Sequence, residues 1–273
     1  MRFSIVTISY NQAQFLEQAI RSVIEQDYPD VEYIVVDPGS TDGSREIIER
    51  YRDRIDKIIF EPDNGPADGL NKGFARATGE IYGYINSDDA LLPGALMKVA
   101  KAARENPDAG MIAGHLYMIE KDNELIRRVR ATPFDQKAFV YGGAQVAQQS
   151  TFVRANAFHS VGGFNFHATN AWDAELMLDL AIAGEKVIVI DDYLAVFRIH
   201  GQSISGSGRL WKEYCDSRRH YFFKVMGRFP RPSDKLWRLW YRFIKWQKDP
   251  GGFFARIYDY FVVPHKKKRI IEL

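Results

Sequence analysis

The chain has 273 residues, a formal net charge of +2, 46% hydrophobic residues and one cysteine, Cys215. That apolar share fills a globular core, the length suits one α/β domain with an appendage or two small domains, and a lone cysteine excludes an internal disulfide. No stretch approaches the roughly twenty apolar residues of a spanning helix, and Met1-Arg2-Phe3-Ser4 leads straight into a strand-like run with no secretory h-region, so synthesis in the cytosol is expected.

Strand and helix signals alternate from the start. Phe3–Ser9 is a β-branched run, and Phe15–Gln26 carries apolar residues at helical spacing. Val31–Val36 is read as a buried strand, 38–43 as a loop, Ser44–Tyr51 as a helix and Ile55–Phe60 as a third strand. Ala67–Ala77 is read as a helix ended by Gly79, Ile81–Ile85 as a fourth strand, and Pro93–Arg104 as a helix with proline in its first turn. Gly110–Ile119 and Leu125–Val129 follow as strands. Trp172–Ala183 is a helix stopped by Gly184, and Lys186–Arg198 a strand region broken at Asp191-Asp192. Such alternation implies βαβ units and a largely parallel sheet, whose ligands bind beyond the carboxyl ends of the strands.

Those ends carry acids. Asp37 follows the second strand, and Asp88-Asp89 follow the fourth. Carboxylates gathered at one sheet edge repel unless a cation or donor joins them, and their oxygens suit Mg²⁺ or Mn²⁺ bridging to a diphosphate. Taken singly, each reads as a turn-starting aspartate, and it is their joint occurrence at one edge that points to the metal. A dinucleotide fold needs a glycine-rich turn after the first strand, but Ser9-Tyr10-Asn11-Gln12 stands there, and no phosphate-loop motif occurs.

Several segments carry a resemblance. They are Ser4-Ile5-Val6-Thr7-Ile8-Ser9-Tyr10-Asn11, Asp37-Pro38-Gly39-Ser40-Thr41-Asp42-Gly43-Ser44, Asp63-Asn64-Gly65-Pro66-Ala67-Asp68-Gly69-Leu70-Asn71-Lys72-Gly73 and Ala77-Thr78-Gly79-Glu80. Asn86-Ser87-Asp88-Asp89, Gln149-Ser150-Thr151-Phe152 and Val161-Gly162-Gly163-Phe164 complete the set. In number and order, across about residues 3–203, they resemble the family 2 glycosyltransferases, within them the bacterial O-antigen and surface-polysaccharide subgroup. The resemblance implies a GT-A fold, Rossmann-like with a mostly parallel sheet flanked by helices. It implies inverting transfer of a sugar from a nucleoside diphosphate sugar, UDP-sugar favoured, to a hydroxyl of a glycan or lipid-linked glycan. It also implies a divalent metal, Mn²⁺ or Mg²⁺.

The resemblance distributes roles. Thr7, Ser9, Asn11, Asp37, Asp63, Asn71, Gly73 and Asp88 line the donor nucleotide site, with Asp37 accepting from the base N–H. Asp89 is expected on the metal, with Asp88 on the ribose or a metal-bound water and His200, from Arg198-Ile199-His200-Gly201-Gln202-Ser203, as a further ligand. Gln148, Gln149 and Ser150 approach the donor sugar or acceptor, beside Trp172. Asp173 is the expected general base. Trp172 stands where the family shows Glu, and Asp179 where it often shows Arg. The rival readings are a sugar-1-phosphate nucleotidyltransferase and a non-catalytic sugar-nucleotide or membrane-binding module.

Residues 209–273 hold 17 Lys and Arg against 6 Asp and Glu, leaving a net −9 in the first 208. They also hold 16 of the 37 aromatic residues. The domain division expected is 1–205 catalytic and 206–273 a helical basic, aromatic extension. Trp237, Trp240, Tyr241, Ile244 and the Lys245 stem fit one helical face; Phe253, Phe254, Ile257, Tyr258 and Phe261 fit another; 266–269 is basic. Such a helix suits an anionic membrane interface, with the protein peripheral on the cytoplasmic face of the inner membrane, or else packs on the catalytic domain. No nucleic-acid motif accompanies the charge, so nucleic acid is not expected as a partner.

Overall fold

The computed structural model describes residues 1–168, 170–201, 203, 210–248 and 271. Its first half is the expected parallel unit. Strands β1 (Phe3–Ile8), β2 (Val31–Val36), β3 (Lys57–Ile59) and β4 (Ile81–Asn86) are linked by helices α1 (Ala13–Ile24), α2 (Ser44–Arg50) and α3 (Pro66–Phe74). β1 pairs in parallel with both β2 and β4, and Ile8 lies level with Val36 and with Asn86. The residues that follow, Ser9, Asp37 and Ser87, therefore emerge at one edge of the sheet.

Side chains alternate across these strands, so both faces are apolar and both need a cover. Phe3, Ile5, Tyr33 and Val35 meet Leu16 and Ile20 of α1. Val6, Ile34 and Val36 meet Leu70 and Phe74 of α3. α3 approaches so closely that a Cβ on Gly73 would lie 2.7 Å from Val6 Cγ1, which is why glycine stands there.

The second half adds β5 (Ala90–Leu91), α4 (Ala95–Glu105), β6 (Ala109–Ile119), β7 (Leu125–Val129), α5 (Gln136–Tyr141), β8 (Thr151–Arg154), α6 (Ala155–Ser160), α7 (Trp172–Ile182) and β9 (Lys186–Arg198). The strand order is β3-β2-β1-β4-β8-β6-β9-β5, with β7 beside β6. β8 is antiparallel to β4 and β6, β5 to β9, and β7 to β6, while β6 and β9 are parallel. α4 starts two residues later than the sequence suggests, because Gly94 takes a left-handed φ of 73° and directs the chain after Pro93. The expected break at Asp191-Asp192 is a shift of register: Val189 pairs Ala113 and Tyr193 pairs His115, but β9 continues.

Helices α8 (Trp211–Met226) and α9 (Asp234–Lys248) lie against the same body. Tyr221 and Phe222 of α8 join Val140 and Tyr141 of α5 and Leu178 of α7 in one buried cluster. Ile271 is buried with Ala90, Ile119, Leu125 and Val196. The stretch 204–208, the second aromatic face at Phe253–Phe261 and the basic cluster 266–269 lie outside the described residues.

Candidate active site

The carboxyl edge of the sheet gathers polar atoms that the protein itself leaves unsatisfied. Asp37 is fully buried at the end of β2. Its Oδ1 accepts from Gly39 N at 3.0 Å, Ser40 N at 2.8 Å and Arg45 Nε at 3.1 Å. Among the described residues its Oδ2 has no partner, and neither do Ser9 Oγ at the end of β1 or Asn86 Oδ1 at the end of β4. Buried polar atoms are nearly always paired, so three orphans on three adjacent strand ends describe a surface shaped to receive hydrogen bonds from something else. The loops around it are braced. Asn11, at a left-handed φ of 52°, donates its N–H to Ser40 Oγ and accepts from Thr41 N. Asp63 accepts from Gly65 N at 2.9 Å, and burial raises its pKa, with Asp37 among the nearby negative charges.

The Asp88-Asp89 pair splits into two environments. Asp88 keeps its side chain 16% exposed and places Oδ2 3.0 Å from His200 Nε2. His200 rests on the Phe15 ring, centroids 4.8 Å apart. Asp89 is 1% exposed, and both its oxygens are taken: Arg198 N donates to Oδ1 at 3.0 Å, Gln149 Nε2 to Oδ2 at 2.9 Å and Asn86 Nδ2 to Oδ2 at 3.1 Å. Burial, and then the Asp88 charge, push the Asp89 carboxyl well above the usual range. Arg198, also buried, grips the turn from below. Its Nε donates to Asp88 O, its NH1 to Asn123 Oδ1 and two backbone carbonyls, and its NH2 to Gln18 Oε1. Among the described residues no group of three or more His, Cys, Asp and Glu side chains is arranged to hold a metal. Asp88 and His200, bonded to each other here, are the side chains that would hold a divalent cation such as Mg²⁺ or Mn²⁺, which would supply positive charge for a diphosphate.

A second cluster sits under the start of α7. Asp173, half-buried in that first turn, has its carboxyl raised by burial, with Ala174 N and its own N–H opposing the shift. It lines a small cavity with Tyr84, Gln148, Thr151 and Phe164. Among the described residues both amide atoms of Gln148 are buried without partners, and Tyr84 Oη and Trp172 Nε1, which approach each other, are buried with no well-formed hydrogen bond. Burial, and then the charges of Asp173 and Asp89, push the Tyr84 hydroxyl well above its usual pKa. Ala171, which precedes the helix, holds a left-handed φ of 51° that alanine rarely adopts. Tyr221 of α8 donates to its carbonyl at 2.9 Å, and Ser217 Oγ donates to Asn170 Oδ1 at 2.9 Å. Glu175 turns away, accepting from Asn165 Nδ2 at 3.2 Å with Lys224 nearby. Asp179, where relatives often carry arginine, forms its ion pair with Lys224 of α8.

Four expected site residues face inward instead. Thr7 is buried and accepts from Tyr33 Oη at 3.0 Å. Gly73 seats α3 on the sheet. Asn71 clasps Phe164, donating to its carbonyl at 2.8 Å and accepting from its N–H at 3.0 Å. Ser150 donates to Gly114 O at 2.8 Å. Gln149 is committed to Asp89, so Gln148 is the member of that segment with an amide to offer the cavity. Sequence reasoning missed Tyr84, Arg45 and the buried part of Arg198. Only Tyr84 left a trace, as the second of two phenols, with Tyr82, on the strand that leads into the acidic motif.

Residues 4–162 match the family model described as glycosyl transferase family 2. A Campylobacter jejuni enzyme named GalNAc(5)-diNAcBac-PP-undecaprenol beta-1,3-glucosyltransferase is 30% identical over 131 residues, 45% of this chain and 40% of its own length. The chain spans about half the length, or less, of the first curated relatives it matches. Staphylococcus aureus TarS 1–349 in complex with UDP-GlcNAc superposes with a TM-score of 0.64 at 17% identity, covering 90% of this chain and 72% of that one. The Pyrobaculum calidifontis mannosyltransferase PcManGT, in complex with GDP-Man and Mn²⁺, superposes with a TM-score of 0.64 at 18% identity, covering 98% and 76%. The fold is that of the GT-A glycosyltransferases.

Proposed function

The chain belongs to glycosyl transferase family 2, and on that footing we propose that it transfers a sugar from a nucleoside diphosphate sugar to a hydroxyl of a glycan or lipid-linked glycan, with inversion at the anomeric carbon. The observation that carries this reading is one sheet edge bearing both the unpartnered Asp37 Oδ2 and the Asp88–His200 pair. A buried carboxylate oxygen without a donor suits the ring N–H of a nucleobase. Uracil presents that N–H between two carbonyls, so a UDP-sugar is the favoured donor. The UDP-GlcNAc bound by TarS agrees with it. Ser9 Oγ and Asn86 Oδ1 flank the same edge for the remaining nucleotide contacts, and Asp63 closes the loop side.

Asp88 and His200 would hold Mn²⁺ or Mg²⁺, which GT-A enzymes generally use and which, when bound, neutralises charge on the leaving diphosphate. This moves the metal from the expected Asp89 to Asp88. Asp89, its oxygens occupied, positions Asn86, Gln149 and β9. In the transfer the acceptor oxygen bonds to C1 as the C1–O bond to the diphosphate breaks, the electron pair leaving with the nucleoside diphosphate. The acceptor proton passes to the Asp173 carboxylate, whose raised pKa makes it the stronger base. Tyr84 and Gln148, beside Asp173 in the cavity, are placed for sugar hydroxyls. The undecaprenol-linked substrate in the name of the Campylobacter relative supports an acceptor carried on a lipid.

The test is nucleotide release from a panel of UDP-, dTDP- and GDP-sugars with Mn²⁺, alongside Asp173→Asn. Release from one donor that disappears in the variant supports the transfer. Binding of UDP and Mn²⁺ with no turnover for any acceptor would favour the non-catalytic reading. Failure to bind any nucleotide would overturn the proposal.

A further inference from the structure

Helix α9 is held by one face and exposes the other. Its inner side begins with Asp234, 1% exposed, which accepts from Tyr141 Oη at 3.1 Å and from both NH groups of Arg228 at 2.8 and 2.7 Å. Tyr241 stacks on Tyr141 at 5.2 Å and 6°. The helix backbone there rides so close to Gly143 that a Cβ on that glycine would lie 2.8 Å from Tyr241 Cβ. Lys245 donates to Gln145 Oε1. α9 is thus docked on the body.

Its outer side has the opposite character. Leu236, Leu239 and Trp240 are 72%, 62% and 53% exposed, and Phe243 and Trp246 are also exposed. Positions 236, 239, 240, 243 and 246 recur at the three- and four-residue spacing of one helical stripe. Within it Trp240, Phe243 and Trp246 form a chain of rings 6.1 and 5.7 Å apart. Exposed Lys235, Arg238 and Arg242, again three and four residues apart, run beside it. A contiguous apolar stripe on a secured helix marks a surface that meets something.

The geometry points to the surface of an anionic lipid bilayer as the occupant of this face. The argument is charge complementarity joined to shape. A bordering row of cations, in a segment with 17 basic against 6 acidic residues, meets acidic headgroups. Leucine, tryptophan and phenylalanine on one stripe suit the shallow headgroup–acyl boundary. No helix among the described residues is long and apolar enough to cross a membrane, so α9 lies along the surface. The outward stripe differs from the face expected from the sequence, since Tyr241 and Lys245 are spent on the body. α8 links this platform to the catalytic cluster, because its Tyr221 bonds the Ala171 carbonyl two residues before Asp173. A lipid-carried acceptor bound at the same surface would be presented on that side of the protein. The inference goes beyond the transfer reaction and does not depend on it.

The full chain is tested by flotation with vesicles of phosphatidylethanolamine and phosphatidylglycerol, and with vesicles of phosphatidylcholine. It is expected to float with the anionic vesicles, to do so less as salt rises, and to float poorly with the zwitterionic ones. Leu239→Ser and Phe243→Ser should each lower the partition coefficient about tenfold, the exposed positions leaving UDP binding and the thermal midpoint unchanged. Arg238→Glu with Arg242→Glu should lower it about tenfold or more for anionic vesicles alone. The proposal is overturned if the chain does not float with anionic vesicles, or if all these variants float like wild type. It is also overturned if light scattering shows a dimer that Phe243→Ser turns into a monomer, which would make a second copy the occupant. Because vesicle binding is read without a sugar donor, its failure is separable from failure of the transferase reading.

Discussion

The carboxyl edge of the sheet and the outer stripe of α9 break opposite rules. At the sheet edge, polar atoms of Ser9, Asp37 and Asn86 are buried with no partner. On α9, large apolar side chains stand in solvent. Each arrangement is costly for an isolated protein, the first by desolvation and the second by hydration of apolar surface. Each would become favourable on meeting a complementary surface, which under the readings proposed above is a nucleotide in one case and a lipid interface in the other. The two regions also differ in precision. The sheet edge is set by registered strands, so atoms are placed one by one, whereas the stripe needs only area and charge.

That contrast predicts large effects from single atoms at the sheet edge and small, additive ones on the stripe. The largest is expected from Asp173→Asn, which should lower turnover by about 10²–10⁴-fold while leaving UDP binding intact. In the wild type, turnover should fall as pH drops through the Asp173 pKa, at a higher pH than an ordinary aspartate near 3.9 would give, because burial raises it. Asp173→Asn should abolish that acidic limb, and a retained limb would mean another base.

Next, His200→Gln should raise the Mn²⁺ concentration needed for half-maximal donor binding by at least the about 10- to 100-fold that losing an outer-shell partner costs a metal site. An unchanged Mn²⁺ titration would return the metal to Asp89. Asp37→Asn, measured by calorimetry with UDP, should weaken binding by about 1.5–3 kcal/mol, because its amide presents a donor or a weaker acceptor where the charged oxygen now waits.

Glu32 supplies a control, a buried acid with all its partners inside the protein. Burial would raise its carboxyl, yet donation from Lys57, Ser4 and Thr78 outweighs it and brings the pKa down to about 2. Glu32→Gln should therefore cost about 1–3 kcal/mol of stability near neutral pH, with nucleotide binding unaffected in the folded protein. The depressed pKa contributes fully above the ordinary glutamate value near 4.3 and is lost as pH falls towards 2, so denaturant midpoints of wild type and variant should converge over that window. The smallest effect belongs to the stripe. Leu239→Ser should change the thermal stability by no more than about 0.5 kcal/mol, and a larger loss would mean that the residue packs within the protein.

How far the sequence could be read follows the same division. The βαβ order, the common sheet edge and the acids on it follow from local periodicity and strand-end position, because alternating strands and helices force parallel strands whose carboxyl ends share one edge. The placement of Asp37 and Asp88 at that edge was legible on this ground, while the roles proposed for them, for His200 and for Asp173 rest on the family resemblance. Partner choice was not legible. Gln148 and Gln149 are neighbours of identical chemistry, yet one bonds Asp89 and the other faces the cavity, a matter of the turn at 148–150 that no spacing encodes. Asp88 and Asp89 likewise sit in different environments because the end of β9 brings Arg198 N to Asp89 and the residues just after it bring His200 to Asp88, across more than a hundred residues of chain.

By itself, then, the sequence determined the alternation of elements, the acidic strand ends and the basic, aromatic character of the C-terminal region, all of which are properties of neighbouring residues. Tertiary structure alone decided which carboxylate oxygen stays unpaired, which glutamine faces the cavity and which stripe of α9 faces outward. That helix is aromatic on nearly every side, so its orientation was set by the shape of the surface it met: Tyr141 and Gly143 accept Tyr241, and Leu236, Leu239 and Phe243 are left to the solvent.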